Sequence, residues 1–145
     1  MSLVLPDQST NIFAPTGPGQ WANTQQTFLR GAVLTQLPGH FIFQIRFKDG
    51  TVHRFERIPG FANLAGVAAI TDRNGNTVSL TRPIVFLQNR ITQITEPAGR
   101  TLTLAYDTQG RMTSVTDPIG RVVQYAYDAL AEVVKSNETV GLGNL

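Results

Sequence analysis

Tyr106, Tyr125 and Tyr127, with Arg100, Arg111 and Arg121 nearby in the chain, are the residues whose types and spacing suit a chemical task. Aromatic rings beside guanidinium and carboxylate groups stack on sugar rings and hold anionic glycans. Tyr106, Tyr125, Tyr127, Arg100 and Arg121 are therefore a candidate surface for a ligand or partner, with carbohydrate as the ligand class. A structural reading competes with this one. The tyrosines would pack on neighbouring strands, and the arginines would pair with Asp107, Asp117 and Asp128 at turns. The spacing favours the structural reading, because the tyrosines fall on the alternating face of a strand.

Other chemistry has less support. His40 and His53 are the only histidines, and His53 reads as a partly buried structural imidazole. A zinc site needs about four convergent ligands, whereas the acids here are dispersed and cysteine is absent. Ser79, Ser114 and Ser136 sit in no motif of an activated nucleophile. Gly17-Pro18-Gly19 lacks the lysine, the preceding strand and the following helix of a phosphate loop. No catalytic, cofactor-binding or metal-binding residue is assigned, and the expectation is a protein that is not an enzyme.

The elements that carry the tyrosines and arginines are written twice. The stretch from Arg90 to Asp107 lies over the stretch from Arg111 to Asp128 without a gap, at a constant offset of 21 residues. A fixed period of this size marks a repeat architecture, in which each unit buries its apolar face against its neighbours. A degenerate earlier copy runs from Ile70 to Arg82, with Arg82 at the position of Tyr106. Each unit reads strand, turn, strand, turn. Leu102, Leu104 and Tyr106 line one face, as do Val123, Tyr125 and Tyr127. Thr101, Thr103 and Ala105 line the other, as do Val122, Gln124 and Ala126. Pro97 and Pro118 suit the first central position of a turn, and Gly99 and Gly120 supply positive φ beyond it. Asp107 and Gly110 bracket the second turn. The next copy departs from the pattern at Ala131, Glu132 and Ser136, and is either a capping unit or a broken one.

Upstream, Phe41, Phe43, Ile45 and Phe47 alternate with Ile42, Gln44 and Arg46, which is period two. Asp49-Gly50 then leads into Thr51–Ile58, a hairpin signal. A two-residue loop would mix faces across this hairpin. A three-residue loop, Lys48-Asp49-Gly50 with Gly50 left-handed, sets Phe43 opposite Phe55 and Ile45 opposite His53, and this register is expected. The resulting organisation is an extended or loop segment over 1–27 with Trp21 as an anchor, a β-hairpin region over 28–69, repeats over 70–138, and a flexible tail over 139–145. The expected fold class is all-β: antiparallel strand–turn–strand repeats in a curved sheet, preceded by a hairpin and an irregular segment.

The totals agree with a folded domain. The 145 residues are 41% hydrophobic and 15% charged, with a net charge of +2. The arginines lie scattered at turns, so the basic stripe of a nucleic-acid binder is missing. No apolar run approaches the roughly 20 residues of a membrane helix. Met1-Ser2-Leu3 reads as an added start, with no secretory signal behind it, and the chain as a piece of something longer.

The repeated residues carry a family resemblance. Gly99-Arg100, Tyr106-Asp107 and Gly110-Arg111-Met112-Thr113-Ser114-Val115-Thr116-Asp117-Pro118, followed by Gly120-Arg121 and Tyr127-Asp128, resemble the YD repeat of the RHS (rearrangement hotspot) proteins. The likeness is strong over 90–128 and weaker over 70–82. The Asp49-Gly50 hairpin and its arginine-bearing strand resemble the region that precedes the repeats in bacterial members. The resemblance implies a fragment of a larger β-shell, in which long runs of such units spiral into a hollow cocoon around a C-terminal toxin. It also implies a secreted or cell-surface location through the parent protein. The family's self-cleavage motif is not found here, so no catalytic residue carries over.

The expected function is thus structural: a shell segment that encapsulates or delivers a C-terminal toxin. The alternative is a module that binds carbohydrate or a cell-surface partner. Expected partners are other shell repeats, an enclosed toxin domain, carbohydrate under the alternative, and further copies joined through sheet edges. No cofactor, nucleic acid or membrane span is expected.

Overall fold

The structure, a computed structural model, describes residues 1–4, 10–24, 29–39, 41–83 and 90–128, together with the backbone of 133–139. The fold is all-β and antiparallel, with no helix among the described residues. The chain divides into two compact units, Met1–Thr77 and Val78–Leu145.

The first unit opens with β1 (Ser2–Val4) paired to β2 (Thr10–Ile12), Leu3 opposite Asn11. A meander follows in chain order: β3 (Ala14–Gly17), β4 (Gln20–Ala22), β5 (Val33–Gln36), β6 (Phe43–Arg46), β7 (Val52–Arg57) and β8 (Ala65–Thr71). Phe43 stands opposite Phe55 and Ile45 opposite His53, the register expected of a three-residue loop. That loop closes with Phe47 donating to the Thr51 carbonyl at 2.8 Å and Gly50 donating to that of Phe47 at 3.1 Å. Gly50 sits at φ 90°, where glycine meets no steric cost.

Alternation places Ile45 inward, and it packs with Phe13, Leu29, Ala32 and Leu34 as a buried core. Leu3, Trp21, Phe43, Phe47 and Phe55 surround this core. Each fully buried side chain of this kind contributes about 2 kcal/mol relative to exposure. Asn23 is buried as well, and it is satisfied: its Nδ2 donates to the Ile12 carbonyl at 3.1 Å, which ties β2 to the segment after β4.

The segment 1–27, read from composition as extended or loop, holds four short strands among its described residues. They run for three or four residues each, too few to display a period. Their apolar anchors are three, Leu3, Phe13 beside β2, and Trp21, and Pro and Gly mask the remainder. β5 escaped notice for the same reason. Pairing and these anchors create the strands, whatever their local propensity.

The second unit runs β9 (Thr77–Thr81), β10 (Gln93–Thr95), β11 (Thr101–Tyr106), β12 (Met112–Thr116), β13 (Val122–Tyr127) and β14 (Val133–Thr139), each antiparallel to the next. Its register sorts side chains by face. Leu80–Ile94–Leu102 and Leu104–Val115–Val123 form apolar rows across the strands. Ser79–Thr95–Thr101 and Thr103–Thr116–Val122 form rows on the opposite face. Among the described residues, every buried side chain lies in the first unit. The described strands of the second unit belong to one sheet.

The departures at the C-terminal copy do not prevent a strand. β14 pairs with β13 from Val122–Thr139 to Tyr127–Val133, with Ser136 opposite Tyr125. Thr139, assigned to the tail by its composition, ends this strand, because main-chain pairing needs no particular side chain. Ala131, Glu132 and residues 140–145 lie outside the described residues.

Candidate functional site

The repeat motif becomes a set of identical turns. In each, an acidic residue donates its main-chain N–H to the residue four positions on, and the glycine between them donates back to the acidic residue's carbonyl. These bonds run Glu96 to Arg100 (3.0 Å) with Gly99 back (2.9 Å), Asp107 to Arg111 (2.9 Å) with Gly110 back (2.9 Å), and Asp117 to Arg121 (3.0 Å) with Gly120 back (3.1 Å). The three glycines have φ of 85°, 86° and 85°. Asp72 and Gly75 build the same turn in the degenerate copy.

The acid's side chain completes the turn. Asp117 accepts the N–H groups of Ile119 and Arg121 on Oδ1 at 3.0 and 2.9 Å, and Arg121 Nε on Oδ2 at 2.6 Å. Asp107 accepts the Arg111 N–H on Oδ1 and Nε on Oδ2, both at 2.8 Å. Glu96 receives Arg100 Nε at close range and Nη2 at 3.0 Å. The main-chain N–H of Arg111, then its side chain, hold the Asp107 carboxyl below the usual value. Desolvation would raise Asp117, but the hydrogen bonds from Arg121 and Ile119 outweigh it and leave the carboxyl lowered. Glu96 is lowered first by the Arg100 side chain. The arginine partners are thus the acids four residues earlier. For Arg100 that is Glu96, which the sequence reading of Asp pairing passed over because the turn holds Glu in place of Asp.

The tyrosines close gaps in the ladder. Tyr106 Oη donates to the Ile91 carbonyl at 2.8 Å, and Tyr127 Oη to the Met112 carbonyl at 2.8 Å. The paired registers between β10 and β11 and between β12 and β13 stop at Gln93–Thr103 and Ser114–Gln124. Each hydroxyl therefore serves a carbonyl beyond the last paired residue. Each ring lies under an arginine from the start of the same unit: Arg90 is 5.6 Å from the Tyr106 centroid and Arg111 is 4.9 Å from that of Tyr127. Arg111 consequently links the Asp107 turn to the following unit's tyrosine. Arg90 was missed in the sequence, although the 21-residue offset from Arg111 marks it. Tyr125, on the same face, stands opposite Ser136.

The remaining candidates do not converge. His53 packs edge-on against Phe47, with centroids 4.7 Å apart. Desolvation lowers its pKa below 6.5, with Asp49 opposing. His40 lies outside the described residues. Ser79 and Ser114 stand on separate strands, and the side chain of Ser136 is outside the described set. Among the described residues no group of His, Cys, Asp or Glu side chains gathers as a metal site. Gly17-Pro18-Gly19 is the bend between β3 and β4, with Gly19 at φ 66°. What the motif residues do within the described structure is to fasten turns and ladders.

The comparisons agree with that geometry. The RHS Repeat family model matches residues 87–118 and 106–136, which is the stretch where these turns and tyrosines recur. No curated protein matches the chain. From the period, the acid–glycine–arginine turns and this match, residues 87–136 are a run of RHS-type repeats.

Proposed function

We propose that the chain is a wall segment of a larger β-shell that encloses or delivers a C-terminal toxin, and that it performs no chemistry itself. The observation that carries the reading is the use of the motif side chains. Tyr106 and Tyr127 spend their hydroxyls on main-chain carbonyls, and Arg100, Arg111 and Arg121 are held by Glu96, Asp107 and Asp117. Residues so occupied define a wall and have little left to offer a substrate. A secreted or cell-surface location belongs to the same proposal, through the polypeptide that carries the segment. Recognition of a glycan by the tyrosine–arginine surface would compete with these internal bonds.

Protease protection tests the reading. In the parent polypeptide, the C-terminal domain is expected to resist digestion while the repeats are folded, and to become digestible when Tyr106→Ala and Tyr127→Ala loosen them. Equal digestion with and without these substitutions would count against enclosure.

A further inference from the structure

The first unit contains a cavity of about 400 Å³ that its own core does not fill. Its floor is Leu34 and Ile45, both buried. Phe43, Phe55, Leu64 and Val67 supply its walls, and the β1 end of the chain borders it. The cavity has a local cause. β8 brings Ala65 and Gly66 opposite Arg57 and Glu56, and the register shifts between Arg54 and Phe55. Small residues and a bulge there leave space where the neighbouring strands place phenylalanines.

Two features set this hollow apart from a packing defect. No Asp, Glu, Lys, Arg or His side chain is among its lining residues. In addition Phe41, which also lines it, is the non-glycine residue with positive φ among the described residues, at 58°. A bulky side chain in that conformation persists only where the surroundings hold it. The Phe41 ring meets Phe43 edge-on at 6.2 Å, and the Arg57 guanidinium lies 5.8 Å from its centroid.

We propose that this cavity is a binding site for a small uncharged aromatic molecule. The volume lies within the roughly 300–1,000 Å³ of ligand pockets. The lining is mostly apolar, its polar members being Ser2, Asn63 and Met1, whose ammonium donates to the Phe13 carbonyl at 3.4 Å, so a neutral guest is favoured over an ion that must be desolvated. Three phenylalanine rings favour an aromatic guest, which gains edge-to-face contacts beyond its buried area.

Titration with Nile red, a neutral dye, tests the site, with naphthalene as competitor. The expected result is saturable one-to-one binding with a blue-shifted emission, displaced by naphthalene. Leu64→Lys places a charge at the rim, on a side chain already 44% exposed, and should weaken binding about tenfold or more. Ala65→Leu, which fills the cavity from within, should do the same if the rim variant disturbs the loop. Leu102→Lys, on the apolar face of the second unit, should leave binding unchanged, with far-UV circular dichroism confirming the fold of each variant. Unsaturable binding, or saturable binding retained in both cavity variants, would overturn the proposal.

Discussion

Tyr106 and Tyr127 make matching contacts one repeat apart, and Gly99, Gly110 and Gly120 take the same backbone conformation in surroundings that differ. Removing one hydroxyl by Tyr106→Phe or Tyr127→Phe keeps the ring under its arginine and deprives a carbonyl of its donor. The expected loss is about 1 kcal/mol each, typical of a single hydrogen bond. The glycines separate backbone strain from packing. A Cβ at Gly99 or Gly120 meets nothing within 4 Å, whereas at Gly110 it would collide with the Arg90 guanidinium. Gly99→Ala and Gly120→Ala should therefore cost only the left-handed penalty, about 1–2 kcal/mol. Gly110→Ala should cost more, because Arg90 must also leave the Tyr106 ring. Urea denaturation followed by circular dichroism checks the order, and equal losses at all three glycines would contradict the Arg90 seat.

Among the elements, legibility followed length and pattern. The β6–β7 hairpin could be read to the residue because a one-residue slip would have turned Phe43 and Ile45 outward. The faces of β11 and β13 were equally readable, since six residues show a period. β1 to β5 were not, because strands of three or four residues show none. The cavity was invisible for a related reason: it arises where Ala65 and Gly66 of β8 meet the phenylalanines of β6 and β7. The apolar β6 is not a free edge, since it is flanked by β5 and β7. The strands that end the order are β3 and β14. β3 carries Pro15, which lacks an N–H and blunts an edge, whereas β14 has no proline. Self-association is therefore expected through β14. Light scattering should give a concentration-dependent mass above the 15.8 kDa monomer, and Lys135→Pro or Ser136→Pro, whichever faces outward, should restore it. A mass of one monomer at every concentration would remove the edge argument.

Across the whole molecule, the two units carry different titrating groups and different reporters. Trp21, the single tryptophan, lies in the first unit, and all three tyrosines lie in the second. His53 of the first unit has its pKa lowered by desolvation, against a smaller opposing effect of Asp49. Well above pH 6.5 neither the folded nor the unfolded chain protonates this imidazole, and its contribution is constant. Below that value the unfolded chain takes up a proton that the folded chain resists, so stability falls until the lowered folded pKa is passed. In the second unit Glu96, Asp107 and Asp117 are all lowered from ordinary values of 4.5 and 3.8. Their stabilisation is complete at neutral pH and is lost only as pH falls through those values. Acidification from pH 7.5 to 5.5 should therefore lower the urea midpoint read from Trp21 while the tyrosine signal holds, and the tyrosine signal should give way below about pH 4. His53→Gln should flatten the upper step, because an amide of similar size does not titrate in this range. If both signals move together and the substitution changes neither, the imidazole is not what makes the first unit sensitive to mild acid.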